Sequence, residues 1–103
     1  MLVTTADIVP GVQVQLLGLV RGNIVTSKNV GRDLMAGFKA MAGGEIKTYT
    51  DMTNEAREIA EQRKIAEAQA IGADAVVAMR FSSEVVMDGC TEMLAYGTAV
   101  KFV

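Results

Sequence analysis

Residues 73–103 read ADAVVAMRFSSEVVMDGCTEMLAYGTAVKFV, and this stretch decides the fold. Two runs rich in valine, methionine, alanine and aromatic residues flank Asp88-Gly89, a pair suited to a two-residue hairpin turn that uses positive φ angles. The pattern predicts a strand over 73–87 and a returning strand over 90–103. A two-residue loop fixes register, so Met87 is expected opposite Cys90, Phe81 opposite Tyr96, Met79 opposite Thr98 and Val77 opposite Val100. The other face then carries Ala78, Arg80, Ser82 and Glu84 opposite Ala99, Gly97, Ala95 and Met93. Those mostly small side chains would let a second layer, such as another subunit, come close.

Working outward, Gly72 closes a helix predicted from a cap at Asp51 to Ile71, rich in Ala, Glu, Arg, Lys and Gln. On a helical wheel Met52, Ala56, Ile59, Ala60 and Ala70 cluster, while Ile65 projects from the opposite side. Arg63 and Glu67 fall inside the apolar arc one turn apart, within reach of each other or of a neighbouring chain. Asn29 can cap an earlier helix over Val30–Met41, with Val30, Leu34, Phe38 and Met41 at spacings of three and four and Gly43-Gly44 at its end. Pro10-Gly11 turns into an alternating run over Val12–Val20, and Gly18 and Gly22 interrupt its continuation toward Val25, so one long bent strand or two short ones are expected. The fold class that follows is α+β: a two-layer subunit, mostly antiparallel sheet packed by two helices, with a C-terminal hairpin.

The chain has 103 residues, the size of a single domain spanning 1–103, and no linker divides it. Half of its residues are hydrophobic, with a mean hydropathy of +0.28, rich for a chain this short. Some apolar surface is therefore expected to meet a partner, and a homo-oligomer is the simplest one. Ten basic and twelve acidic residues are interspersed without a basic stripe, which argues against nucleic acid. No apolar run is long enough to span a membrane, and the polar face of 30–41 carries too little charge for interfacial binding. A single cysteine, Cys90, and an N-terminus without a signal pattern fit a cytoplasmic setting.

The order of certain segments resembles a known family. These are Gly18-Leu19-Val20-Arg21-Gly22, Gly31-Arg32-Asp33, Gly43-Gly44-Glu45, the long helix running into Ile71-Gly72-Ala73-Asp74-Ala75-Val76-Val77, and Tyr96-Gly97-Thr98-Ala99-Val100. Together they cover nearly the whole chain, which resembles the YbjQ-like family of small bacterial and archaeal proteins. The resemblance implies an α+β subunit assembled into a ring, a homopentamer, and carries the family's heavy-metal-binding label. It supplies no agreed set of ligand residues.

Candidate ligands therefore rest on side-chain chemistry. One cysteine and no histidine cannot make a zinc site of the usual thiolate and imidazole kind within one subunit. Met87, Cys90 and Met93 have a spacing that suits Cu(I), but hairpin register puts Met93 on the face opposite the other two. In a ring, one carboxylate or thiol per subunit becomes a circle of ligands, and Glu45, Glu67, Asp74, Glu84, Asp88 and Cys90 are candidates, with Cys90, Glu67 and Glu84 foremost. Solvated surface charges and interfacial ion pairs explain the same carboxylates. For a small anionic ligand the candidate is Arg80, with Gly97 opposite leaving room beside the guanidinium; an intersubunit salt bridge would use the same layout. No histidine base, nucleophile turn or activated thiol is evident, so no enzyme activity is expected. Expected functions are binding of a metal ion between subunits, a scaffold or storage ring for a small anionic ligand near Arg80 and Gly97, or a purely structural interaction protein.

Overall fold

The computed structural model describes residues 1–27 and 47–103. The expected helix over 30–41 and its Gly43-Gly44 stop lie outside the described residues, as does Glu45. Four strands and one helix make up the described chain: β1 (Leu2–Val3), β2 (Val14–Ser27), α1 (Lys47–Ala70), β3 (Ala75–Met87) and β4 (Cys90–Phe102). The sheet order is β1-β3-β4-β2. The long strands pair antiparallel and β1 joins β3 in parallel, so the sheet is mixed, with α1 on one face.

The run after Pro10-Gly11 forms one long strand. A bulge between Leu16 and Gly18 bends it, and Gly18 takes φ +133°, a conformation that strains any residue with a side chain. Helix α1 runs over Lys47–Ala70, so Asp51 lies inside it and not at its cap. Tyr49, Met52 and Thr53 line a pocket against the strands, a tertiary contact that accounts for a start earlier than local propensity suggests. Its end follows the sequence. Gly72 sits at φ +78° and donates its N–H to Gln69 O, and Ala73 N–H reaches back to Ala68 O, the paired bonds of a glycine-closed helix.

The hairpin forms with Met87 opposite Cys90, but its register does not run through. Bulges between Val85 and Met87 and between Val77 and Arg80 each shift the pairing by one residue. Phe81 therefore faces Ala95, Arg80 faces Tyr96, Val77 faces Thr98, and Val100 faces Ala75. At the turn only Gly89 has a positive φ, +76°, where two such residues were expected. A turn of that kind splays the strands, and a bulge directly beside it restores twist. The second bulge carries Ala78 at φ +52°. The N-terminal segment clamps it: Ala78 N–H donates to Ala6 O and Met79 N–H to Thr4 O.

These shifts change what covers the small-residue face. Ala95 and Ala99 are fully buried with Met93 on the helix side of β4, so the chain's own helix occupies the face expected to meet another subunit. Beneath α1 lies a stripe at four-residue spacing: Ala56, Ala60, Lys64 and Ala68. Ala70, placed in the apolar arc from sequence, is exposed. Gly22 of β2 meets the stripe directly. A Cβ there would stand 2.7 Å from the carbonyl carbon of Arg63 and closer still to Lys64 N and Ala60 O. Lys64 is 0% exposed among these alanines, and its Nζ lies 2.5 Å from Glu61 Oε1, with no further partner for either atom.

Gly22→Ala should force α1 off the sheet and cost about 3 kcal/mol, read as a lower urea midpoint at unchanged slope. Glu61→Ala should also cost about 3 kcal/mol because it leaves a buried ammonium unpaired, whereas Lys64→Met should be neutral or stabilising. Equal losses from both substitutions would show that the pair itself stabilises the fold.

Candidate functional site

The geometry of α1 over β2 determines where polar side chains gather. In an α-helix a four-residue repeat advances about 40° per step, so the buried stripe rotates around α1 as it runs from Ala56 to Ala68. Arg63 and Glu67 point where the stripe began, and by their level on the helix that direction has turned to the rim. Both are exposed there, beside β2, an edge strand of the sheet. Arg63 Nη1 donates to the backbone oxygen of Asn23 at 2.6 Å, tying the helix to that edge.

The rows of the sheet supply the rest. Antiparallel pairing places Arg21 beside Tyr96 and Arg80, Asn23 beside Leu94 and Ser82, and Val25 beside Glu92 and Glu84. Directly opposed residues share a face, so these rows lie on the side of the sheet away from α1. Asn23 Nδ2 donates to Glu92 Oε2 at 2.9 Å. At the margin of this face a cleft of about 360 Å³ is lined by Arg21, Asn23, Glu67, Glu92 and Leu94. Glu67 enters it from the helix and the other four from the strands.

The cleft thus joins two carboxylates from distant parts of the chain with an amide and a guanidinium. The amide nitrogen of Asn23 holds Glu92 in place, leaving its Oδ1 as a further acceptor on the same side chain. Two carboxylate groups and an amide oxygen are donors for a cation that accepts oxygen ligands. A second, mostly apolar pocket of about 200 Å³ lies between the start of α1 and the sheet, lined by Met52 and Met93 among others. Its thioethers fill the gap between the layers.

Glu67 is the one sequence candidate that lines the cleft. Glu84 is exposed and lies across from Glu92 on the same face, but among the described residues no three Cys, Asp or Glu side chains come together to hold a metal. Cys90 is half-buried at the hairpin, opposite Met87 and Ser27. Met93 is buried toward α1 and Met87 is exposed, so the three sulfurs do not converge. Asp74 accepts from Phe102 N–H, which gives it a structural role at the end of β4, and Asp88 is exposed in the hairpin turn.

Arg80 does not face Gly97. Its guanidinium donates to Thr5 O at 3.1 Å and to Met79 O at 2.8 Å, tethering the N-terminal segment beside the bulge. The space beside Gly97 is taken up by β3, since a Cβ there would meet Val76 Cγ1 at 2.6 Å and Met79 Cα at 3.2 Å. Sequence reasoning missed Arg21, Asn23, Glu92 and Leu94 as a group. The pairing of β2 with β4 puts Arg21 and Asn23 on one face, and nothing local in the sequence links them to Glu67 or Glu92.

Comparison with known proteins gives these features a family. Residues 1–103 match the model of a family described as "putative heavy-metal-binding". A UPF0145 protein of Thermotoga maritima is 56% identical over 102 residues, covering 98% of this chain and 96% of that one. One from Thermosipho africanus is 59% identical over 102 residues, and one from Vibrio parahaemolyticus 52% over 104. A crystal structure of a DUF74-family protein of unknown function from Pediococcus pentosaceus superposes with a TM-score of 0.70 at 18% identity, covering 100% of this chain and 98% of that one, which shows a shared fold. With its whole length matched and relatives above half identity, the chain belongs to the YbjQ family.

Proposed function

We propose that this protein is the subunit of a homo-oligomeric metal-binding ring, a cytoplasmic homopentamer, and that it holds a divalent cation in the cleft at the edge of β2. The observation that carries the metal reading is the meeting of Glu67 and Glu92 in one cleft, 25 positions apart in sequence and on different layers, with Asn23 orienting Glu92. Carboxylates brought together from separate elements repel one another unless a cation or a hydrogen-bond donor offsets them. The family description supports the same chemistry. Glu84, in the row of Glu92, and Cys90 are the remaining donors that a neighbouring subunit would have to complement.

The ring reading draws on exposed apolar side chains. Leu16 and Leu19 of β2 are 72% and 63% exposed, and Val85 of β3 is 73% exposed. Large apolar side chains exposed on strand surfaces are what subunit contacts cover. No enzyme activity forms part of this reading, because the cleft holds no nucleophile paired with a base.

Equilibrium dialysis against Cd²⁺ or Zn²⁺, with the metal then quantified, should show stoichiometric uptake by the native chain. Glu67→Gln and Glu92→Gln should each weaken uptake by about 100-fold while leaving the fold intact, a larger effect than losing an outer-shell partner. Native protein that retains no metal would sink the reading. Native mass spectrometry of chelator-free protein should show a closed homo-oligomer of five chains. A monomer at micromolar concentration would overturn the ring.

A further inference from the structure

The sheet has two open edges. β2 forms one of them along its whole length, where Arg63 reaches the backbone at Asn23 O. On the other side β1 and the residues that follow it bond to β3 as far as Met79, which leaves residues 80–87 without a neighbouring strand among the described residues. Neither stretch contains a lysine or a proline, the residues that commonly keep strand edges from pairing. The outward N–H and C=O groups of both edges are therefore available to another chain.

The two edges complement each other on both faces of the sheet. On the helix side α1 lies mainly over β2 and β4, so Phe81 and Val85 of β3, opposite Ala95 and Thr91, stay exposed. On that same side of β2 runs an apolar groove of about 160 Å³, lined by Ile24, Thr26, Met52, Glu55, Ala56 and Ile59. Met52 and Ile59 fall on the Arg63 side of the helical wheel, so this groove opens at the outer edge of β2. On the face away from α1 the edges carry opposite charges, Arg21 on β2 and Glu84 on β3. Neither has a hydrogen-bond or ion-pair partner among the described residues, and Glu84 stands across from a like charge, Glu92.

Strand direction allows one copy to answer the other. β2 and β3 both run antiparallel to β4 and hence parallel to each other. A second copy set beside the first in the same orientation brings its β3 against β2, continues the sheet, and leaves its own β2 open to the next copy. Unlike surfaces joined in this way close into a ring when the rotation between copies permits. Resting on the ring reading above, we infer that subunits join head to tail, the outer edge of β2 pairing in parallel with residues 80–87 of a second copy. The register that seats the partner subunit's Val85 in the groove beside Ile24 puts the partner subunit's Phe81 beside Val20. It also puts the partner subunit's Glu84 beside Asn23, one step from Arg21 and within reach of its guanidinium.

The test is sedimentation velocity on the full chain over a dilution series, with far-UV circular dichroism to confirm that each variant is folded. Val85→Lys places an ammonium in the apolar groove and should leave the protein largely monomeric at concentrations where the native chain is assembled. Arg21→Glu and Glu84→Arg should each raise the concentration at which the assembly dissociates about tenfold, because each sets like charges together across the joint. Carrying both reversals in one chain should bring that concentration back toward the native value. If Val85→Lys and both single reversals sediment as the native assembly does, the copies meet elsewhere, and the inference fails while the ring reading stands. A doubly reversed chain no better assembled than the single variants would show that the two edges do not face each other, which also overturns it. A native chain that is monomeric throughout removes both readings.

Discussion

The rest of the structure depends on the contact between Gly22 and the backbone of α1 at Ala60, Arg63 and Lys64. Only a hydrogen fits between the strand and the helix at this point. A helix held that close must present small side chains on either side of the contact, and Ala56, Ala60 and Ala68 do so. The sheet answers with Ala95, Gly97 and Ala99 along β4. The two layers therefore approach through alanine and glycine, with little of the bulky interdigitation common in larger cores. Val20, Val76 and Met79 supply the larger apolar volume at the Ala68 end, and Ile24 and Met93 at the Ala56 end.

Lys64 is the exception that this geometry tolerates. Its position in the stripe puts a long side chain under the helix, and its ammonium finds Glu61 one turn back. A buried pair of this kind contributes little net stability but makes the removal of one partner expensive. The same rotation that sends Lys64 inward sends Arg63 and Glu67 outward over the edge of β2. Arg63 bonds the strand's backbone, and Glu67 reaches the cleft. The core contact and the site are thus two consequences of one helix orientation. A change at Gly22 would move Glu67 relative to Glu92 even without touching either residue.

The bulges play a corresponding part in the sheet. Without the one between Val85 and Met87, Arg80 would lie across from Gly97 and the rows on the exposed face would be displaced by a residue. With it, Arg80 shares a row with Tyr96 and Arg21, and its guanidinium is taken up by the N-terminal segment. Arg21 remains free to face the cleft. Ala78 accepts an unfavourable φ at the bulge after Val77, and the bonds from residues 78 and 79 to Thr4 and Ala6 hold it there. A strained position of this kind persists because several contacts over-determine it.

Sequence by itself determined the parts governed by short-range rules. Gly72 ended the helix, Asp88-Gly89 made the turn with Met87 opposite Cys90, and Gly18 marked the bend in β2, because each rests on local backbone freedom. Glu67 was picked out as a ligand candidate because carboxylate chemistry can be read from composition alone. Tertiary structure decided the register beyond the turn, the burial of Lys64 and the grouping of Glu67 with Arg21, Asn23 and Glu92. Each of these depends on a shift of one residue or a rotation of about 40° per repeat, quantities that a periodic pattern averages away. The helix can satisfy its small-residue stripe only over a glycine in the sheet, and that pairing, visible only in three dimensions, fixes the direction of every other side chain along it.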